Sequence, residues 1–444
     1  MSENITQDNL LEALEAEEYD RARAYLNEMH PSEIADLLES QPAKIREKIW
    51  DMVPSELDGD VLSHAQDAVR AGLLETMAPQ EVADATRELD VDDAADILND
   101  LPEDVMDSVL LSMDVQNRER LASVLSYPED TAGGLMNLDV VPVRADVSLD
   151  VVTRYLRKLG ELPDQTDSLM VVDRENHYLG ILPLSNILTH NQEASVGELM
   201  VPGVNMTADT PAREVAKIFE QRDLLSAAVI DNHGLLLGRI TVDDVVDVIQ
   251  QEAEHTMRSM ARLGDDDMFA PVFTSTKRRA VWLGVNLVTA FLAAWVIGHF
   301  KDTIQQLVAL AVLMPIVASM GGIAGSQTLT IATRGIALGQ LGKANARSLL
   351  VKELSVGILN GVVWASLIGF IAGLWFNDAP LGLVIGSAVI INLMVAACAG
   401  ATIPLILKRL GIDPAIAGGV LLMTLTDVVG FMTFLGLATI FLVN

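Results

Sequence analysis

The residue that most invites a chemical reading is Asp427, set in the apolar run from Ala415 to Leu442. It stands about 12 residues into a segment long enough to cross a bilayer, roughly 18 Å at 1.5 Å per residue. An ionised carboxylate at that depth is costly unless water or a cation faces it. Thr424 and Thr426 flank it with hydroxyl oxygens, and the apolar runs hold no Lys or Arg placed to pair with it. Oxygen ligands of this kind suit a hard divalent cation such as Mg²⁺, which prefers octahedral coordination and keeps several waters. One carboxylate is a poor cage, but two related by a two-fold axis would serve. The competing reading of the same residue is a protonated, hydrogen-bonded structural Asp.

A second set of acids lies far upstream. Asp92 and Asp96 are i,i+4 neighbours and Asp244 and Asp247 are i,i+3 neighbours, so each pair shares a helix face where like charges repel without a cation. Glu252, Glu254 and the run Asp265, Asp266 and Asp267 extend the series. They read either as regulatory divalent sites or as a solvated acidic surface. No GxxxxGK[ST] phosphate loop occurs, which argues against ATP-driven pumping by that machinery. Seven scattered histidines suggest no nucleophile, base and orienting partner, so an enzyme is not expected.

Composition separates the elements that position these groups. Of 444 residues, 61 are Asp or Glu and 30 are Lys or Arg, but residues 1–276 hold 56 of the acids and only 20 of the bases. An acidic part precedes an apolar one. Phosphate backbones are repelled by such a surface, which excludes nucleic acid as a partner. The single Cys398 permits no disulfide framework or Cys-based zinc site within one chain. The first 25 residues lack the basic start and apolar core of a cleaved signal peptide, so the N-terminus is expected in the cytoplasm.

Five apolar stretches, near 281–300, 304–333, 353–376, 381–407 and 415–443, are each long enough to span. Lys277, Arg278, Arg279, Arg334, Lys343, Arg347, Lys352, Lys408 and Arg409 then fall on one side and Lys301 on the other. That asymmetry puts the acidic part in the cytoplasm and the C-terminus outside. Glu353 is expected at a helix start and Asp413 in an inner loop. Upstream, Pro31, Pro79 and Pro102 each open a short helical pattern, which suggests stacked helices. From 136 to 249 a strand–helix–strand–strand–helix order occurs twice, and a helix from Val242 is expected to run to about Leu263. Small residues at 320–325 and 396–401 suit close helix packing.

The two α/β halves resemble a pair of cystathionine β-synthase (CBS) domains. Thr241 and Asp244 in GRITVDD match that family's ribose-contacting Thr and Asp, whereas Leu184 and Ile187 stand at the corresponding places of the first half. Thr241 also reads as a plain helix cap. The order of parts, MP…MGGIAGSQ from Met314 to Gln327, Arg334-Gly335, DPA at 413–415 with TLTD at 424–427, and YPEDTAGGLM at 127–136 together resemble the MgtE family of magnesium channels. The fold class implied is a helical domain (1–130), two CBS domains (131–195 and 196–250), a connecting helix (251–276) and an all-α five-helix membrane domain (277–444). The resemblance also implies a homodimer in a bacterial-type inner membrane with a central Mg²⁺ pore at Asp427. Gly321, Gly322, Gln327, Thr424 and Thr426 are candidates to line the pore. Asp92, Asp96, Asp244, Asp247, Glu252 and Asp413 are those matching a cytoplasmic Mg²⁺ sensor, and ATP or another adenosine nucleotide is a possible ligand of the second CBS domain. Ile323 replaces an Asn, and Val420 a Pro, that many members carry. An ion-coupled exporter and a membrane-anchored nucleotide sensor are the rival functions.

Overall fold

The computed structural model describes residues 9–14, 16–261, 269–270, 272–342 and 344–443. The chain forms two compact units, one comprising residues up to 254 and 265–270, the other 255–264 and everything from 271 onward.

The first unit begins with short helices. Pro31 and Pro79 each occupy the first helical position, where a missing N–H is harmless. Glu33 and Glu81 reach back to the backbone N–H groups of His30 and Ala78 at 2.9 and 2.7 Å. At the third repeat the helix is Glu103–Ser112 and Pro102 is its cap. These helices bury Leu26, Ile34, Leu38, Ile49, Leu62 and Leu98 in one core.

The α/β part holds two three-stranded sheets of identical topology. β1 (Pro142–Arg144) pairs parallel with β2 (Ser168–Val172), which pairs antiparallel with β3 (Tyr178–Pro183). β4 (Asn205–Thr207), β5 (Ser226–Ile230) and β6 (Leu236–Thr241) repeat the order. The two hairpins meet through reciprocal bonds, Tyr178 N–H to Gly234 O and Leu236 N–H to Asn176 O, at 2.9 and 3.0 Å. The helix Val91–Asn99 places Val91, Ala94 and Ala95 in one core with Val215, Phe219, Val245 and Val248 of the second α/β half. The connecting helix is Val242–Ala261; its expected end at Leu263 and the run at 265–267 lie outside the described residues.

The second unit contains five helices long and apolar enough to cross a membrane: Val272–Gly298, Ala309–Ala337, Ala346–Trp375, Ala379–Arg409 and Pro414–Phe441. Three boundaries differ from expectation. The first helix starts at Val272, so Lys277, Arg278 and Arg279 lie inside it, because these good helix formers extend a helix past its apolar core. A separate helix, Lys301–Gln306, ends where Leu307 (φ −132°, ψ 82°) leaves helical geometry, and the second span proper follows. The third span begins at Ala346, which puts Glu353 two turns inside a helix instead of at its start.

Glycines set the packing of the spans. A Cβ on Gly325 would meet Leu422 at 2.8 Å and one on Gly418 would meet Leu329 at 3.0 Å, so the second and fifth spans interlock antiparallel. Gly369 and Gly382 likewise pack backbone to backbone between the third and fourth. The fourth span is the most enclosed, burying Leu381, Ile385, Ala388, Val389 and Leu393 among others, whereas the first buries Ala293 and Val296.

Candidate cation pathway and acidic cluster

The antiparallel step that pairs Gly325 with Leu422 brings Asp427 level with residues 320–324 of the second span. There the two spans frame an open groove of about 730 Å³, lined by Gly322, Ile323, Ser326, Gln327, Thr330, Ile331 and Met423. Asp427 follows Met423 by one helical turn, so both leave the same side of the fifth span. It is half-buried. Gly322 has nothing within 4 Å of a built Cβ and opens the groove, and Gln327 lines it.

Three expected lining residues, Thr426, Gly321 and Thr424, are not among those that line the groove. Thr426 is fully buried, and its hydroxyl donates to the carbonyls of Leu422 and Met423 at 3.1 and 3.0 Å. One residue along a helix is a rotation of about 100°, which carries Thr426 to the packed side. Gly321 is also buried, closed off by the side chain of Asn392. Thr424 is half-buried and donates to Val420 O at 2.7 Å. Asp413 caps the fifth span, its Oδ1 accepting from Ala415 N–H at 2.8 Å.

Sequence reasoning missed a buried carboxylate and a buried amide among the spans. Glu353, 4% exposed, accepts from Thr328 Oγ1 at 3.0 Å and pairs with Lys352 at 2.8 Å. Asn392, fully buried, donates to Val317 O at 2.9 Å. The signal for Glu353 was present in the length of the apolar pattern; that for Asn392 was not, because an uncharged amide in an apolar run stands out little.

In the first unit Asp92, Asp93 and Asp96 share the helix Val91–Asn99, whose apolar side presses on Val245 and Val248 of the connecting helix. That contact dries the carboxylates around it. Burial pushes Asp93 up to about 6, with Asp90 and Asp247 adding to the rise. Burial drives Asp92 well above its ordinary value, aided by Asp244. Asp96 and Asp244 are each pushed up to about 7 by burial, with Arg70 pulling Asp96 back and Thr241 N–H pulling Asp244 back. Burial raises Asp247, opposed by His64. Asp92 Oδ1 is buried without a hydrogen-bond partner.

An orphaned carboxylate oxygen amid like charges suits a divalent cation. Among the described residues no three His, Cys, Asp or Glu converge closely enough to ligate an ion by themselves. Asp92 and Asp244 are the residues that would hold a Mg²⁺ there, with waters completing its shell. Glu252, expected among these ligands, is instead held by Arg213, whose guanidinium makes contacts of 2.6–2.9 Å to both its oxygens. The pair is exposed, with side chains 62% and 38% accessible.

Thr241 immediately precedes the connecting helix. Its N–H donates to Asp244 Oδ2 at 3.0 Å, and its hydroxyl lies within reach of Asp244 and Asp243. The pair thus acts as a helix cap here, and Asp244 belongs at once to the cap and to the acidic cluster.

Three family descriptions match along the chain: an MgtE intracellular N domain over residues 29–130, CBS domains over 132–193 and 196–251, and the MgtE divalent cation transporter domain over 314–437. A solved crystal structure, described as the cytosolic domain of the Mg²⁺ channel MgtE in complex with ATP, is 30% identical and has a TM-score of 0.50. It covers 55% of this chain, which covers 99% of it. The chain belongs to the MgtE family. Members of that family are divalent cation transporters and not enzymes, and the five apolar helices make this a multi-pass membrane protein. Along most of its length the chain is similar to the magnesium transporter MgtE of Bacillus subtilis, at 28% identity over 95% of this chain and 94% of that one. The magnesium transporter MgtE of Thermus thermophilus is 29% identical over 98% of each.

Proposed function

We propose that the protein admits Mg²⁺ to the cytoplasm through a path between two copies of the chain, and that cytoplasmic Mg²⁺ closes it. The observation that carries the reading is the open groove lined by Met423, one helical turn before Asp427 on the same side of the fifth span. A groove with one carboxylate is half a site; a second copy across a two-fold axis supplies the other half and encloses a hydrated ion. Nine of the ten basic residues after 276 fall on one side of five spans, which favours a cytoplasmic first unit and inward delivery. The similarity to two magnesium transporters supports Mg²⁺ as cargo.

Closure follows from the acidic cluster. Keeping Asp96 and Asp244 ionised in the dry contact costs on the order of a few kcal/mol each, since every tenfold displacement of a protonation equilibrium is worth about 1.4 kcal/mol. Mg²⁺ bound between the helix Val91–Asn99 and the connecting helix offsets that cost and favours the packed arrangement. Without it, repulsion favours separation, and differential binding to the two arrangements supplies the coupling. An adenosine nucleotide at Thr241 and Asp244 is a further ligand of this junction, a reading supported by the ATP complex of the related cytosolic domain.

The test is Mg²⁺ uptake into liposomes holding the purified protein, with no proton or sodium gradient. Uptake is expected to proceed, and Asp427→Ala is expected to abolish it while the protein still elutes as the wild type does. Uptake that requires a gradient points to a coupled transporter; wild-type flux through Asp427→Ala removes the pore assignment.

A further inference from the structure

Asn392 is buried in the fourth span, where an amide is expensive unless both its ends are used. Only one end is. Nδ2 donates to Val317 O of the second span at 2.9 Å, while Oδ1 is buried with no hydrogen-bond partner. Glycine surrounds the amide on two sides: a Cβ on Gly321 would come within 2.3 Å of Nδ2, and one on Gly430 of the fifth span within 2.8 Å. The side chain thus fills a notch made by two missing side chains on two different helices. Those helices are the pair that frames the groove. Gly321 precedes the groove-lining Gly322, and Gly430 follows Asp427 by three residues.

We propose that Asn392 is a positioning residue that holds the second and fifth spans off the fourth, behind the groove, and so sets the width of the ion path beside Asp427. The proposal rests on the pore reading above. The amide touches neither the groove nor the ion; it acts through the placement of the two spans. Its bond to Val317 O fixes which way the wedge points, and a polar anchor is worth an unpartnered oxygen only where the placement matters. Removing the wedge lets both spans settle back toward the fourth, which widens the path. A wider path discriminates less against Ca²⁺, which is larger than Mg²⁺ and takes longer bonds.

The test compares Mg²⁺ and Ca²⁺ uptake rates in liposomes for the wild type, Asn392→Ala, Gly321→Ala and the double variant. Asn392→Ala is expected to lower the Mg²⁺ to Ca²⁺ ratio by about threefold or more. Gly321→Ala, which forces a Cβ into the amide, is expected to reduce flux of both ions. In the double variant the new methyl occupies space the amide has left, so the ratio is expected to return toward the wild-type value. A general loss of stability would not show that return. Should Asn392→Ala fail to assemble, Asn392→Leu keeps the volume without the anchor and is expected to hold the ratio within about twofold, while Gly430→Ala presses on the amide from the fifth span and is expected to reduce flux of both ions as Gly321→Ala does. An unaltered ratio in Asn392→Ala, or unaltered flux in Gly430→Ala where that variant replaces it, overturns the wedge. So does a double variant no better than the single one. Wild-type flux through Asp427→Ala, by contrast, would bring down the pore reading whatever Asn392 does.

Discussion

At the scale of single residues, the groove next to Asp427 presents an apolar side chain. Ile323 is 58% exposed and lines the groove together with Met423, one helical turn before Asp427. A branched hydrocarbon there gives a passing ion's water shell no partner, whereas an amide would accept and donate hydrogen bonds. Ile323→Asn is therefore expected to raise Mg²⁺ flux several-fold in liposomes; flux that is unchanged or lower means that Ile323 does not face the ion. Asp427 drew attention because a 28-residue apolar helix tolerates an ionisable group only where water or a cation meets it. Thr426 was misread since proximity in sequence says nothing about helix face until the packed side is known. Asn392 escaped notice for a related reason: its meaning lies in Gly321 and Gly430, which are distant in the chain and join it only in three dimensions.

At the scale of elements, the connecting helix carries two kinds of contact that differ in weight. Asp244 and Asp247 face the acids of the helix Val91–Asn99 in a dry setting, whereas Arg213 and Glu252 form an ion pair with side chains 62% and 38% exposed. Exposed pairs contribute about 0–1 kcal/mol. Neutralising Asp244 and Asp247 together to Asn is therefore expected to shift the internal Mg²⁺ needed for half-closure upward by about tenfold or more, the equivalent of ~1.4 kcal/mol. Arg213→Ala is expected to shift it by less than about fivefold. Patch recordings of inhibition by internal Mg²⁺ decide both, and an Arg213→Ala effect as large as the double Asn variant would restore Glu252 to the sensor. The elements themselves were readable from local chemistry: proline at helix starts, a strand order repeated twice, apolar runs of spanning length. Their ends were less so, because the helix at Val272 is extended by Lys277 to Arg279 and the second span is interrupted at Leu307, features a hydropathy pattern averages away.

At the scale of the whole molecule, charge divides the chain, and its 36 excess negative charges before residue 277 tie the first unit to both protons and divalent ions. Asp96 and Asp244 are each raised to about 7 in the packed arrangement and Asp93 to about 6, from an ordinary value of 3.8. The packed state therefore holds protons that an opened or unfolded state releases between those values and 3.8. Its stability is full at the acid end of the window and is lost as pH rises through about 6 to 7. In chelator, the amides of the helix Val91–Asn99 are thus expected to exchange more slowly near about pH 5.5 than near about pH 7.5, after correction for intrinsic exchange. Mg²⁺ displaces the same protons, so it is expected to restore protection at the higher pH and flatten the dependence. Hydrogen exchange on the full-length protein in detergent measures both effects. Equal protection at the two pH values in chelator would mean that the carboxylates stay hydrated, and the electrostatic basis for closure would then be absent.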